Sequence, residues 1–211
     1  MEHSSTDTHI SEMIFRVAWL AVALGVGVEL VLLVVNSTLH KSSSFGFIAA
    51  DLVQKISWSV FVCVGLAIGL SASKMKIPAG FISGMLAAPF AFAIARTLHK
   101  SLSQGLGISV APGVISPITM SLVKGAEYAV LGGLIAWFQV KNITRFWPYV
   151  LAGGAVGLSF AAALWLLGTG AGETAVGQFA KGINEFLGPL GCTVVQYGAR
   201  AFGGQSAGAK A

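Results

Sequence analysis

Charged residues are scarce in this sequence, and their scarcity excludes an ordinary soluble domain. Asp, Glu, Lys and Arg make up only 10% of the 211 residues, whereas soluble globular proteins carry about 25%. The net charge of +5 comes from basic residues at the ends of apolar runs, which is typical of loops that anchor membrane spans. A surface that follows nucleic-acid phosphates would cluster its basic residues. We therefore expect no nucleic-acid partner.

Cysteine, histidine and catalytic motifs are equally sparse. The two cysteines, Cys63 and Cys192, have no CxxC spacing, so neither a disulfide framework nor a zinc site is predicted. All four histidines lie outside or at the edge of apolar runs, where they could not ligate a haem within a bilayer or complete a Ser/His/Asp triad. P-loop, GxSxG and HExxH motifs are also missing. The sequence therefore predicts no enzyme, no catalytic residue, no metal site and no cofactor.

Long apolar runs are what the sequence has in abundance, with 55% hydrophobic residues. About 20 apolar residues in a helix cross the roughly 30 Å hydrocarbon layer of a bilayer. The runs predict an all-α integral membrane protein, a bundle of about six transmembrane helices. The predicted spans are residues 13–35, 47–71, 78–96, 119–140, 148–167 and 176–200. They form one transmembrane domain over residues 13–202, between a polar N-terminal segment (1–12) and a disordered tail (203–211).

Two parts of this arrangement are irregular. Residues 101–118 are uncharged and rich in Ser, Gly and Pro, which predicts an extended loop. The last span contains Gly188-Pro189, which predicts a break in the helix. A last helix that lies flat in the membrane interface, leaving five spans, is the alternative.

The stretches Leu52–Arg96 and Leu122–Leu166 share one pattern at a constant offset. Each has an apolar run, a short basic turn that ends in Pro78 or Pro148, and a second apolar run. Proline suits the first turn of a helix, so the pattern predicts a duplicated helical hairpin. The short basic turns favour a cytoplasmic N-terminus. The two hairpins then run parallel, and both chain ends face the cytoplasm. The predicted location is the cytoplasmic (inner) membrane.

Small residues recur at steps of four residues in three of the predicted spans. Because small side chains let two helix backbones come close, such stripes are typical of tightly packed membrane helices. The stripes are Gly80/Gly84/Ala88, Gly125/Ala129/Gly133 and Gly153/Gly157/Ala161.

Opposite charges lie three or four residues apart at four helix starts, where they can neutralise each other on one helical face. The pairs are Glu12/Arg16, Asp51/Lys55, Lys124/Glu127 and Lys181/Glu185. Either they are anchors at the water boundary, or they belong to an ion path. Only thirteen uncharged residues separate Glu127 from Lys141, about 20 Å of helix. This helix must therefore begin near Met120, which draws Lys124 and Glu127 into the membrane.

Glu29 lies past the middle of the first apolar run. An ionisable side chain there costs roughly 2.5–3.5 kcal/mol, so it is expected to face the bundle or a wet cavity. Ala21 and Gly25 share its face of the helix, and we expect it to pair with Lys124 or Lys55. Either Glu29 binds a proton or cation, or it is a protonated or paired carboxyl that fixes helix packing.

These features lead to two hypotheses about function. The first is a small channel or secondary transporter for an ion or small solute, with a path through Glu29, Asp51, Lys55, Lys124 and Glu127. The second is a non-catalytic integral membrane subunit of a larger secretion, export or energy-conversion complex. The expected partners are the lipid bilayer and either further copies of the chain, as a homo-oligomer, or other membrane subunits.

Overall fold

The structure, a computed structural model, describes residues 3–39, 44–72, 75–109, 113, 115–170, 172 and 175–208. Over these residues it is all-helical, with six helices and no strand. The helices are α1 (His3–Thr38), α2 (Phe45–Ala72), α3 (Lys76–Gly105), α4 (Pro117–Val140), α5 (Phe146–Gly170) and α6 (Ala175–Gly208).

Within the described residues, five helical segments are long and apolar enough to cross a membrane. They are Ser11–Thr38, Phe45–Ser71, Lys76–Gly105, Pro117–Val140 and Phe146–Gly170. The all-α fold is therefore confirmed, and the apolar helices are compatible with a multi-pass membrane protein. Whether α6 also crosses the membrane stays a prediction.

The six helices form a closed ring in which each helix packs against the next and α1 packs against α6. Successive helices run antiparallel, as the contacts of Gly65 with Ala87 and of Gly69 with Ser83 indicate for α2 and α3. Helices α2, α4 and α6 also meet one another across the ring. Their first turns therefore lie at one end of the bundle, together with the last turns of α1 and α3.

Most glycines of the small-residue stripes lie where helices cross closely, although Gly133 meets only the side chain of Phe81, at 3.9 Å. A Cβ atom on Gly84 would overlap the backbone carbonyl of Tyr128, and one on Gly157 would lie 2.7 Å from the carbonyl oxygen of Phe186. Gly80 and Gly132 face each other in the same way across α3 and α4. The predicted close packing of these helices is confirmed.

The third span is longer than predicted. The sequence ended it at residue 96, where charged residues begin, but α3 continues to Gly105. His99 and Ser103 are buried, and they prolong the face formed by Ala88, Ala91 and Ala95. The end of the apolar run was thus not the end of the helix, because its inner face still packs on the bundle. The loop predicted over 101–118 begins only after Gly105, and residues 110–112 and 114 lie outside the described residues.

The predicted break in the last helix is wrong, since α6 runs without interruption through Gly188 and Pro189. Neighbouring helices can satisfy the backbone groups that a proline frees within a membrane bundle, and Pro189 is fully buried among them.

The chain ends also differ from prediction. Helix α1 already begins at His3, and α6 extends to Gly208, beyond residue 203, where a disordered tail was expected.

The two halves of the predicted repeat have similar helix starts but different packing. Both α3 and α5 begin two residues before the shared prolines, Pro78 and Pro148. However, α3 packs along α2, whereas α5 packs mainly along α6 rather than α4. The duplicated hairpin stays a prediction.

Candidate functional site: a cavity that ends at buried charges

A cavity of about 900 Å³ lies between α1, α2, α3, α4 and α6. It begins near Asn36 and Ser44, at the end of α1 and the start of α2, and reaches Ser59 and Gly188. Between Ser44 and Ser59 a helix rises about 20 Å, so the cavity reaches the middle of α2. Its lining is mixed, with apolar and aromatic side chains that include Phe47, Trp58 and Phe92.

Charged side chains concentrate in this cavity, although the whole chain has only 13 basic and 8 acidic residues. The charged residues that line it are Asp51, Lys55, Lys124, Lys181 and Glu185. They come from the first half of α2, α4 and α6, which start at the same end of the bundle. The fold thus brings most of the predicted ion-path residues to one place, and adds Glu185 to them.

The deepest charges form a group that we call the Lys124 cluster: Lys124, Glu127 and Glu185. The Lys124 Nζ donates hydrogen bonds to Oε2 of Glu127, at 2.7 Å, and to Oε2 of Glu185. The side chains of Lys124, Glu127 and Glu185 are 8%, 0% and 7% exposed. Lys124 and Glu127 lie one turn apart on α4, as the sequence predicted, whereas Glu185 reaches the ammonium from α6.

Aromatic rings enclose the ammonium of this cluster. The Lys124 Nζ lies 5.5 Å from the ring centre of Trp58 and 5.9 Å from that of Tyr128, within the range of cation–π attraction. The two rings pack edge to face, with centres 5.5 Å apart. Lys124 is therefore held by two carboxylates and two aromatic faces.

Two buried polar atoms beside the ammonium have no hydrogen-bond partner within the described part of the chain. They are Oε1 of Glu127 and the hydroxyl of Tyr128. Both side chains are fully buried. Unpartnered buried polar atoms are uncommon in folded proteins and often mark a ligand, an ion or a catalytic function.

Glu29 faces the bundle, with 5% of its surface exposed. Its Oε2 lies 3.9 Å from the Nζ of Lys55, so of the two expected partners the structure places Lys55 beside it. Helices α1 and α2 approach closely at Gly25, where a Cβ would lie 2.6 Å from the Cα of Ile56. Lys55 lines the cavity and Glu29 stands behind it.

Asp51 has a different partner from the predicted one. The sequence paired it with Lys55, but its Oδ1 lies 3.1 Å from Nε2 of His99. The unexpected length of α3 explains the error, because its last turns carry His99 over the start of α2. Edge-to-face packing on Phe47, with ring centres 6.1 Å apart, also positions the imidazole. The four-residue spacing of Ala91, Ala95 and His99 is the feature of the sequence that could have placed His99 on the buried face of α3.

The other two predicted pairs also differ in position. Glu12 and Arg16 lie 3.4 Å apart with 64% and 29% of their side chains exposed, at the opposite end of the bundle from the cavity. They form an ion pair on the surface, away from the cavity. Lys181 lines the cavity near its entrance, and Glu185, one turn further on, contacts Lys124.

Among the described residues, buried side chains fill the centre of the bundle beyond the Lys124 cluster, and we call this part of the bundle the closed half. Apolar side chains fill the centre next to the cluster, among them Val62, Leu66, Leu131, Ile135 and Val195, all 5% exposed or less. Further along lies an aromatic layer, formed by Phe138, Phe146, Tyr149 and Tyr197, with ring centres 4.9 to 5.3 Å apart between the contacting rings. The guanidinium of Arg200 donates a hydrogen bond of 2.8 Å to the Tyr149 hydroxyl.

Helices α2 and α6 are joined in this closed half. The Sγ atoms of Cys63 and Cys192 are 3.3 Å apart, and both cysteines are free and buried. Gln196 Nε2 donates a hydrogen bond of 2.7 Å to the carbonyl oxygen of Cys63. The cavity and the closed half therefore share the same pair of helices.

The comparisons with known proteins add no constraint. The chain matches no protein-family model, and no curated protein or solved structure matches it. What the site can do must be argued from its own geometry.

Proposed function

We propose that this protein is a secondary transporter that moves a small polar or charged solute across the cytoplasmic (inner) membrane. One observation carries the proposal: a cavity enters the bundle from one end, stops at its middle and meets buried charges there. Transporter sites typically lie near the bilayer midplane, where access alternates between the two sides. A channel would need a continuous path, so the closed half favours the transporter over the channel.

The size and lining of the cavity support a small polar solute. Its volume of about 900 Å³ falls within the roughly 300–1,000 Å³ of small-molecule sites. Lys55 and Lys124 offer positive charge, Asp51 and Glu185 offer negative charge, and Asn184 offers an amide. Buried polar groups of this kind fix the orientation of a bound polar molecule.

Alternating access would require the closed half to open as the cavity closes. The aromatic layer and the contact between Cys63 and Cys192 would separate, and α2 and α6 would move relative to each other. If the N-terminus is cytoplasmic, the cavity as observed opens to the opposite side, because it lies at the far end of α1.

The experiment is uptake into sealed vesicles that contain the purified protein. A defined mixture of amino acids, carboxylates, monosaccharides and alkali cations is added outside, and the contents retained by the vesicles are measured by mass spectrometry and atomic emission. At least one solute is expected to enter faster than into protein-free vesicles. Folded protein that moves none of them, and carries no current across a planar bilayer, would contradict transport.

A matched pair of substitutions links uptake to the cavity. Ser59 lines the deep end of the cavity and is 4% exposed. In Ser59→Phe the added ring would occupy the space that the solute needs. Ser159 lies on the exposed face of α5, so Ser159→Phe adds the same ring outside the cavity. Uptake is expected to fall roughly tenfold or more in Ser59→Phe, the equivalent of about 1.4 kcal/mol, and to stay unchanged in Ser159→Phe.

The alternative, a non-catalytic subunit of a larger membrane complex, has one supporting observation. An apolar groove of about 510 Å³ runs along α1 and α6, past Leu20, Val31 and Gly198, where a helix of another protein could pack. Purification in mild detergent followed by mass measurement separates the two functions. A homo-oligomer or monomer that transports favours the transporter, and persistent partner proteins with no transport favour the subunit.

A further inference from the structure

We propose that the Lys124 cluster binds one exchangeable proton, shared between Glu127 and Glu185, and that this proton is the coupling ion of the transporter. The proton site stands on the geometry of the cluster alone. Its coupling to a solute rests on the function proposed above.

The cluster has one negative charge too many. It contains two carboxyl groups, and among the described residues Lys124 is the one cation in salt-bridge contact with them. A buried charge without compensation is strongly unfavourable. A proton on one carboxyl would leave the cluster neutral, with one carboxylate facing one ammonium.

The hydrogen bonds leave a place for this proton. Oε2 of Glu127 and Oε2 of Glu185 both accept from Lys124. Oε1 of Glu127 accepts no hydrogen bond from a described residue. The hydroxyl of the neighbouring Tyr128 has no described partner either. Both atoms are buried, and Oε1 belongs to the carboxyl group that contacts the ammonium, so a proton can settle on an oxygen that is not already engaged.

A proton fits this place better than a metal cation. Lys124 already occupies the position between the two carboxylates that a metal ion would take. Cations such as Ca²⁺ need about six oxygen ligands, and the described residues contain no group of three His, Cys, Asp or Glu side chains that could hold a metal ion. A second cation would also be repelled by the ammonium.

The surrounding charges do not remove the surplus. The titratable and charged groups that face the cluster from the packed helices are Glu29 on α1, Asp51, Lys55 and Cys63 on α2, His99 on α3, Tyr128 on α4, and Lys181 and Cys192 on α6. Glu29 is paired with Lys55, and Asp51 contacts His99. Cys63 and Cys192 contact each other, Lys181 lines the cavity nearer its entrance, and the Tyr128 hydroxyl supplies no positive charge.

Water in the cavity gives the proton a route. Glu185 and Lys124 line the cavity, whereas Glu127 lies behind them and is fully buried. A hydronium ion in the cavity transfers its proton to Glu185, an O–H bond forms on the carboxylate, and a water molecule is left. When the opposite side opens, the same O–H bond breaks and the proton leaves on water there. A neutral cluster faces the apolar half of the bundle at lower free energy than an anionic one.

Infrared spectroscopy tests the proton site without any solute. The protein in phosphatidylcholine vesicles is titrated from alkaline to acidic pH, and the C=O stretching band of a neutral carboxylic acid is recorded in H₂O and D₂O. A buried, exchange-sensitive band is expected in the wild type. It is expected to disappear in Glu127→Gln or Glu185→Gln, and to persist in Glu29→Gln and in the exposed control Glu12→Gln.

The conservative variants keep the test decisive if a glutamine variant fails to fold. Glu127→Asp and Glu185→Asp retain the carboxyl group, and at least one is expected to shift the band. A band that neither the Gln nor the Asp variants of these residues alter, or that disappears in Glu29→Gln instead, would overturn the proposal.

Coupling is tested with the solute identified in the vesicle uptake assay. A pH gradient of one unit stores about 1.4 kcal/mol, so coupling to one proton accumulates the solute up to about tenfold. Glu127→Gln is expected to lose accumulation but keep exchange of labelled for unlabelled solute. Wild-type uptake that ignores the pH gradient would overturn coupling and leave transport intact. If no solute is transported, the proposed function fails, and the infrared experiment still decides the proton site.

Discussion

The ammonium of Lys124 holds carboxylates from two helices, so its loss should be more damaging than the loss of a surface ion pair. Lys124→Met would leave Glu127 and Glu185 buried without their cation. Breaking a buried pair in this way typically costs about 3–5 kcal/mol. Thermal unfolding in detergent is expected to show a large loss of stability for Lys124→Met. Lys100 lies on the exposed face of α3, so Lys100→Met is expected to show no loss.

A rescue variant separates charge from packing in this prediction. Adding Glu127→Gln and Glu185→Gln to Lys124→Met removes the unpaired charges. Most of the lost stability should return. If the triple variant is as unstable as Lys124→Met, the methionine side chain itself, rather than the unpaired carboxylates, disturbs the fold.

The closest helix crossing gives a second prediction for a single residue. A Cβ on Gly84 would overlap the backbone of Tyr128, next to the Lys124 cluster, whereas a Cβ on Gly27 meets nothing within 4 Å. Gly84→Ala is expected to lower stability by about 1–3 kcal/mol, as overpacking does. Gly27→Ala should be neutral or slightly stabilising, because alanine favours helix over glycine. Equal effects in the unfolding assay would contradict the close approach of α3 and α4.

At the residue scale, the sequence predicted the unusual side chains better than their partners. Glu29 and Lys124 stood out because ionisable residues are costly in apolar runs, and both are buried. Spacing along one helix identified Glu127 as a partner of Lys124 but gave Asp51 the wrong partner. Glu185 and His99, which contact residues on other helices, could not be assigned because sequence spacing does not specify which helices become neighbours.

The helices themselves could be located from apolar runs, but not their ends or their continuity. A run ends where lipid contact ends, yet α3 continues for as long as its inner face packs on the bundle. Gly188-Pro189 would break a helix that is exposed to water, but a helix surrounded by a bundle tolerates it. The prolines of the internal repeat predicted helix starts at residues 78 and 148, two residues after the observed starts at Lys76 and Phe146. The packing partners of these helices could not be predicted from the repeat, because they depend on the whole ring.

The contact between α2 and α6 gives a prediction at the scale of elements. Cys63 and Cys192 approach to 3.3 Å, so molecular iodine should oxidise the two thiols to a disulfide, releasing two protons and two iodide ions. Alternating access requires these helices to separate, so the cross-link is expected to stop solute uptake. Dithiothreitol should restore it.

The control for this cross-link is the Cys63→Ser variant, which cannot form it. Iodine should leave uptake by that variant unchanged. Uptake that continues in the wild type after the disulfide has been verified by mass spectrometry would show that α2 and α6 do not move apart during transport.

For the whole molecule, the distribution of charge and apolar surface explains why a cavity exists at one end. The first halves of α2, α4 and α6 carry polar and charged residues on their inner faces, and these cannot pack into a dry core. Their second halves contribute mainly apolar and aromatic residues to the interior, among them Leu66, Ile135 and Tyr197, and these close the other end. The sequence contained both halves of this pattern, but only the parallel placement of these three helices turns it into a one-sided cavity.

The most direct test of this account is the reactivity of a cysteine placed in the cavity. In a Cys63→Ser/Cys192→Ser background, Gln54→Cys lies in the cavity wall and Ile135→Cys in the closed half. A charged, membrane-impermeant methanethiosulfonate reagent, applied to either side of sealed vesicles, is expected to label Gln54→Cys from the side where α2 begins and to leave Ile135→Cys unlabelled. Labelling of neither residue, or of Gln54→Cys from the opposite side only, would contradict a water-filled cavity open at that end.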